Sequence, residues 1–343
     1  MNVLLTGFTG NLGPTIVAAL AEHHVIALVR DRSRIGGFPD VEIVEGALDS
    51  VPAALAARVE IIVHAAASTA FRQPLEELRR HNVTGTRHLL DFAMGCPRLV
   101  RFVHLSTVCV AGKRSGVLRE AAIHETPAFV NAYEQSKWEA EQIVLGSALP
   151  VEIVRVAIVA GSEIDGTVPR PGALHHTVRW LQRGLIPMMP GGPDVPVDLV
   201  SAEFVARVLA ALLREPASAG RIVHASSGER APRLRELLDH FGTLFAARDR
   251  AWSSGTMVLP DIVDAETYAL FEQTVARSGD ALFRRVCDDG QSFLPMLLHP
   301  RVNATSIAAT VPPSDWRQLT ARVFTWLLAN DWGRTPQPAY ARA

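Results

Sequence analysis

Apolar positions in the first 160 residues fall into short unbroken runs, at residues 3–5, 25–29, 41–44, 61–66, 100–105 and 151–159. Strands buried on both faces read this way, whereas half-exposed strands alternate, so the runs predict a parallel sheet covered by helices. Between the runs the spacing turns helical: at 16–21, briefly after Val51, over 75–94 (Leu78, Val83, Leu89, Leu90 and Phe92 on one side), and from Ala132 onward. Residues 221–225 read as a seventh strand. This strand and helix alternation is that of a doubly wound α/β domain.

After Ala160 the rhythm breaks. Residues 161–172 and 186–196 are loops crowded with Pro and Gly, on either side of a helix at 174–183. Residues 202–213 form an amphipathic helix, and the remainder reads as helices at 234–246, 265–276 and 316–332 joined by apolar loops. No internal repeat or low-complexity tract interrupts the chain.

Composition narrows the function classes. At 343 residues and 48% hydrophobic content, the chain can bury one large core and an appended lobe. A net charge of −1 gives no electrostatic case for nucleic acid or an anionic membrane as partner. No stretch approaches the roughly 20 apolar residues of a membrane span. Cys96, Cys109 and Cys287 lack any Cys-x-x-Cys pairing and read as thiols in a reducing compartment. The start of the chain runs directly into a strand without a basic leader, so the cytoplasm is the expected location. His23-His24 and His175-His176 lack acid or cysteine partners at ligand spacing, so no metal is expected.

The first run leads into Thr6-Gly7-Phe8-Thr9-Gly10-Asn11-Leu12-Gly13, followed by Pro14. One glycine permits a sharp turn off the strand, the next leaves bare backbone for a pyrophosphate, and the third lets a helix pack close to the sheet. Thr-Gly-x-x-Gly-x-x-Gly resembles the extended branch of the short-chain dehydrogenase/reductase superfamily. That resemblance implies a Rossmann-type domain over 1–160, with 197–226 returning to it. It also implies a smaller, mainly helical substrate lobe assembled from 161–196 and 227–343.

Tyr133 and Lys137 stand four apart at a predicted helix start, hence on one face. An ammonium near a phenol lowers its pKa from about 10 toward the working range, fitting it to exchange a proton with a carbonyl or alcohol oxygen. A solvated helix face is the other use of such a pair. Thr107, counted back from Gly112 at the end of the fifth strand, matches the superfamily's catalytic Ser/Thr, and Ser106 is its neighbour. The resemblance thus gives Thr107, Tyr133 and Lys137 the catalytic roles. It places Gly7, Thr9, Gly10, Asn11, Leu12, Gly13, Arg30, Leu48, Ala65, Ala66, Ala67, Ser106, Tyr133, Lys137 and Val156 around the cofactor. Ala65–Ala67 keep the strand end small, and Val156 stands where relatives commonly carry proline after Arg155. Asn82, in Asn-x-x-Gly-Thr, is either a backbone clamp or a proton relay.

Arg30 directly follows the second strand, where enzymes preferring NAD carry an acid. Its guanidinium suits a 2′-phosphate, with Arg32 and Arg34 close behind, so NADP is expected. A shift of one residue would put Asp31 there and favour NAD. Ala47 stands where relatives often have an aspartate for the adenine amino group.

Leu28-Val29-Arg30, His104-Leu105-Ser106-Thr107, the run 129–141 and Val197-Asp198-Leu199-Val200 resemble thioester reductases and fatty acyl-CoA reductases, over about the first 225 residues. The resemblance implies NADPH-dependent reduction of an aldehyde, ketone or acyl thioester. A nucleotide-sugar epimerase or dehydratase retaining NAD is the alternative, and a non-catalytic NAD(P)-sensing protein a third. Trp252, Phe271, Phe283, Phe293 and Leu297-Leu298 favour an apolar small-molecule substrate over the diphosphate that Arg233, Arg235 and Arg248 would suit. No carrier or adenylation segment accompanies the motifs, so a stand-alone chain is expected. Relatives commonly form homodimers through the two long helices, here 75–94 and 132–148.

Overall fold

A computed structural model of the chain describes residues 1–35, 38, 40–291 and 293–333. The Arg34 side chain, and residues 334–343 of the expected lobe, lie outside the described part.

In chain order the first half runs β1 (Asn2–Thr6), α1 (Gly13–Ala19), β2 (His24–Val29), β3 (Val41–Glu45), β4 (Ile61–His64), α2 (Leu75–Leu78), α3 (Gly85–Met94), β5 (Arg101–Thr107), β6 (Gly116–Leu118), α4 (Ala132–Leu145), β7 (Val151–Val156) and β8 (Ile158–Gly161). The second half continues α5 (Ala173–Gln182), β9 (Met188–Pro190), β10 (Leu199–Ser201), α6 (Ala202–Arg214), β11 (Arg221–Ala225), α7 (Leu234–Ala246), α8 (Arg250–Ser253), β12 (Asp261–Val263), α9 (Ala265–Ser278), α10 (Ala281–Gly290), β13 (Arg301–Asn303) and α11 (Trp316–Ala329).

Seven strands form one sheet in the order β11-β7-β5-β4-β1-β2-β3. Every pairing in it is parallel. The unbroken apolar runs have the predicted cause: β1 has four of five residues buried, and β4, β5 and β7 are buried throughout. Because all strands point one way, their carboxyl ends lie along one edge. Strand order reverses between β1 and β4, and a crevice opens at such a point.

Several expectations need correction. The run at 151–159 is two strands: β7 ends at Val156, and β8 leaves the main sheet to pair with β10. Apolarity persists because β8 enters a second core, so hydrophobicity alone could not mark the break. The 75–94 helix contains a π turn at Arg79–Thr84. The last helix stops at Ala329, and Trp332 lies beyond it at φ +57°. The loop after β5 holds β6, which pairs with the distant β13.

One apolar cluster joins β1, β2, β5 and β7 to α1 and α6. Another gathers Trp180, Leu237, Phe241, Phe245, Phe293 and Phe324 from residues 160–199 and 234–332. None of the described helices is long and apolar enough to cross a membrane.

Candidate active site

Gly7 turns the chain off β1 with φ +79°, and a Cβ there would lie 2.6 Å from the Ala65 and Ala66 backbone. At Gly13 a Cβ would lie 1.9 Å from the Phe8 carbonyl oxygen, so only glycine lets α1 start against the loop. The Gly10 amide donates to the Gly7 carbonyl at 2.9 Å, closing the turn. Pro14 fills the first turn of α1, and Leu12 precedes it half-buried. Thr9 is half-buried, and Asn11 does a different job from its neighbours. Its side-chain amide exchanges two hydrogen bonds with the Arg170 backbone, at 3.0 and 2.9 Å, fastening the 162–172 loop to the glycine turn.

Beside this turn, β4 ends in His64 and the small residues Ala65–Ala67. The Ala66 amide donates to Thr6 Oγ1, whose oxygen also lies 2.8 Å from His64 Nδ1. His64 Nε2 lies 2.9 Å from Thr86 Oγ1 on α3. Asn82, in the π turn, accepts from the Ser68 amide at 2.7 Å and donates to the Ser68 carbonyl and to Ser136 Oγ. Its polar atoms are thus committed to clamping the β4 exit against α4, the backbone-clamp alternative of the two.

The reacting groups come from β5 and α4. Asn131 caps α4 by accepting from the Glu134 amide at 3.0 Å, while Glu134 accepts from the Val130 amide at 2.9 Å. Farther along, buried Glu141 grips buried Arg155 of β7 through Nε at 3.0 Å and Nη2 at 2.8 Å. The two fastenings fix where the first turn of α4 presents Tyr133. Its phenol lies near the Thr107 hydroxyl, which accepts from the Cys109 amide at 3.2 Å. Ser106 Oγ is buried with no partner among the described residues. Val156 lies beside Thr107 in register on β7.

Lys137 departs from expectation. Its ammonium donates to the Leu105 carbonyl at 2.9 Å and lies 3.3 Å from His104 Nε2. Burial lowers its pKa to about 8. The phenol is pushed up, chiefly by burial, then by Cys109 and Glu134, and only the nearby Thr107 hydroxyl opposes this. The lowering of the phenol by the amine is therefore not what this geometry provides. His64, 5.2 Å ring to ring from His104, is held down to about 3 by burial and by Lys137. His104 is likewise held well below its ordinary value. Two neutral histidines therefore floor the site. Sequence reasoning quoted both without giving either a role; a histidine inside an apolar strand was the available signal.

At the far end of the crevice Arg30 is exposed. Asp31 is turned into a local cap, accepting from the Ser33 amide at 3.0 Å and the Ser33 hydroxyl at 2.6 Å. Leu48 packs against Gly85, where a Cβ would approach its Cδ1 to 2.8 Å. Opposite, a small cavity beside Val108 is walled by Ile158, Phe293, Met296 and Leu297, with His299 and Arg301 among its polar residues.

Residues 48–209 match the family described as Male sterility protein. The glycine betaine reductase of Emericella nidulans is 31% identical over 246 residues, 59% of this chain and 19% of that protein. The chain thus spans under a fifth of that relative's length. The terminal R domain of the myxalamid PKS-NRPS pathway superposes with a TM-score of 0.76 at 22% identity, covering 98% of this chain and 92% of that one. UDP-glucuronic acid 4-epimerase from Bacillus cereus, solved with NAD, gives 0.67 at 15% identity, covering 97% and 100%. The two structures share the fold. In the glycine turn, the Tyr133/Lys137 helix and the matched segment, this chain is similar to the extended short-chain dehydrogenase/reductases.

Proposed function

We propose that the protein is an NADPH-dependent reductase of a carbonyl, either an aldehyde or ketone or an acyl thioester, with Tyr133 as general acid. The observation that carries this reading is the nearness of the Tyr133 phenol to the Thr107 hydroxyl at the end of β5. It lies at the strand ends bordering a turn whose glycines leave room for bare backbone only.

The residues fit a dinucleotide. Gly7, Gly10 and Gly13 leave the backbone open to a pyrophosphate, with Thr9, Asn11 and Leu12 completing the turn. Ala65–Ala67 and Leu48 border the path toward the adenine end, and Ser106 and Val156 the nicotinamide end. The bound cofactor supplies a hydride. Arg30, exposed and with its neighbour Asp31 occupied locally, suits a 2′-phosphate, which supports NADP over NAD.

On this reading Thr107 holds the substrate oxygen and Tyr133 gives it a proton. A carbonyl oxygen receiving hydride becomes strongly basic, so a phenol of high pKa still donates to it. Lys137 keeps its ammonium at the β5 end, where it holds the nicotinamide ribose. The apolar wall of Phe293, Met296 and Leu297 supports a substrate with an apolar body. Single-turnover oxidation of NADPH, against a panel of aldehydes, ketones and acyl thioesters, tests the reading; no oxidation with any of them would end it.

A further inference from the structure

We infer that the cavity beside β6 is a second ligand site, one that takes an oxyanion such as a phosphate group, with Arg301 as its principal ligand. The cavity has a volume of about 240 Å³ and lies between residues 111–123 and β13, outside the Tyr133 crevice. Arg301 lines it and is only 9% exposed. Its Nη1 donates to the Gly112 carbonyl at 2.9 Å, and its Nη2 is buried with no partner among the described residues.

The charge is uncompensated at close range. Among the described residues no carboxylate forms an ion pair with Arg301, although Glu134 and Asp198 feel it from farther off. Asp198 is occupied by Ser226, Ser227 and Asn303. Both carboxylate oxygens of nearby Glu120 accept backbone amides, of His224 and Ser306. Arg114 and Arg119 line the same cavity from exposed positions, adding positive charge; Arg114 donates to the Glu125 carbonyl at 3.1 Å, with the Glu125 carboxylate at 3.7 Å. A cation taken out of water without a counter-charge is costly, and a guanidinium with a spare N–H is shaped for a carboxylate or phosphate oxygen.

Arg301 is also part of the wall of the smaller cavity beside Val108, the residue after Thr107. A ligand held here therefore sits one side chain away from the reacting groups. Two sources supply such a group: a phosphate carried on the substrate's own arm, or free phosphate. The inference goes beyond the reductase reading and does not require it.

Thermal melting at fixed ionic strength tests it, with saturating NADP⁺ filling the glycine turn and inorganic phosphate as the probe. The wild type should show a saturable rise in Tm with phosphate, and Arg301→Gln should abolish it. Because removing a buried arginine can upset folding, Arg114→Ala/Arg119→Ala, which changes only exposed side chains, should independently weaken the response at least about threefold in apparent Kd. A wild type indifferent to phosphate, or an equal response in both variants, would overturn the inference. Displacement of phosphate by phosphopantetheine but not by pantetheine would assign the site to a substrate arm. Phosphate binding that phosphopantetheine does not disturb would assign it to the free ion, and both results uphold oxyanion binding. Failure of NADP⁺ itself to raise Tm would count against the reductase reading alone.

Discussion

The Lys137 ammonium lies 2.9 Å from the Leu105 carbonyl oxygen and 3.3 Å from His104 Nε2. Its charge is therefore held at the end of β5, in a pocket that two neutral histidines cannot neutralise. This arrangement fixes the pH behaviour of the site. The buried ammonium is present below about pH 8 and lost above it. Activity that needs the charge should fall as pH rises through about 8, and Lys137→Met should remove that limb from the kcat/KM profile. The stability effect has the opposite sign. A lysine whose pKa is lower folded than unfolded binds fewer protons in the folded state between about 8 and its ordinary 10.5, so its contribution to stability rises over that window. Denaturation midpoints at pH 8 and 10, wild type against Lys137→Met, separate this contribution from those of other groups.

On the proposed reading, cofactor choice is made at Arg30. Replacing it with alanine removes a charge available to a 2′-phosphate and touches nothing that NADH shares. KM for NADPH should rise at least about tenfold, the loss of one charge-assisted hydrogen bond of about 1.5 kcal/mol or more, while KM for NADH changes little. Steady-state kinetics with both cofactors check this, and equal changes would remove the assignment.

Gly13 has no room for a side chain. An alanine Cβ would sit 1.9 Å from the Phe8 carbonyl oxygen, so Gly13→Ala must push α1 away from the turn. Overpacking of this kind costs about 1–3 kcal/mol or more. A lower Tm, with NADPH binding lost in a fluorescence titration, is the expected result.

The Glu141–Arg155 pair locks α4 onto β7 with both side chains fully buried. Glu141→Ala leaves a buried guanidinium without its counter-charge and should cost about 3–5 kcal/mol. Urea denaturation of the two proteins measures it. Turnover should fall as well, since Tyr133 and Lys137 ride on that helix.

Much of the frame was legible from sequence because it depends on local signals. Short unbroken apolar runs bounded by turn signals fit doubly covered strands, and the turn from Thr6 to Gly13 needs glycine where no Cβ fits. Thr107 and Tyr133, picked out by their motifs, lie near one another at the end of β5. What sequence reasoning missed depends on contacts made far along the chain. The break at Ala157 leaves no trace in hydrophobicity because β8 passes from one core to another. The direction of Lys137 is set by His104 and the Leu105 carbonyl, which helical spacing cannot convey. Asn11 reads as a loop residue until Arg170, 159 positions later, is brought against it.

The most direct test of the account is Tyr133→Phe, which removes one hydroxyl and leaves the ring that packs 4.6 Å from Phe71. Positioned proton donors contribute about 10²–10⁴-fold, so kcat for carbonyl reduction should fall by that much while NADPH affinity, measured by fluorescence titration, stays within about twofold. Turnover retained in the phenylalanine variant would contradict the assignment of Tyr133 as the acid.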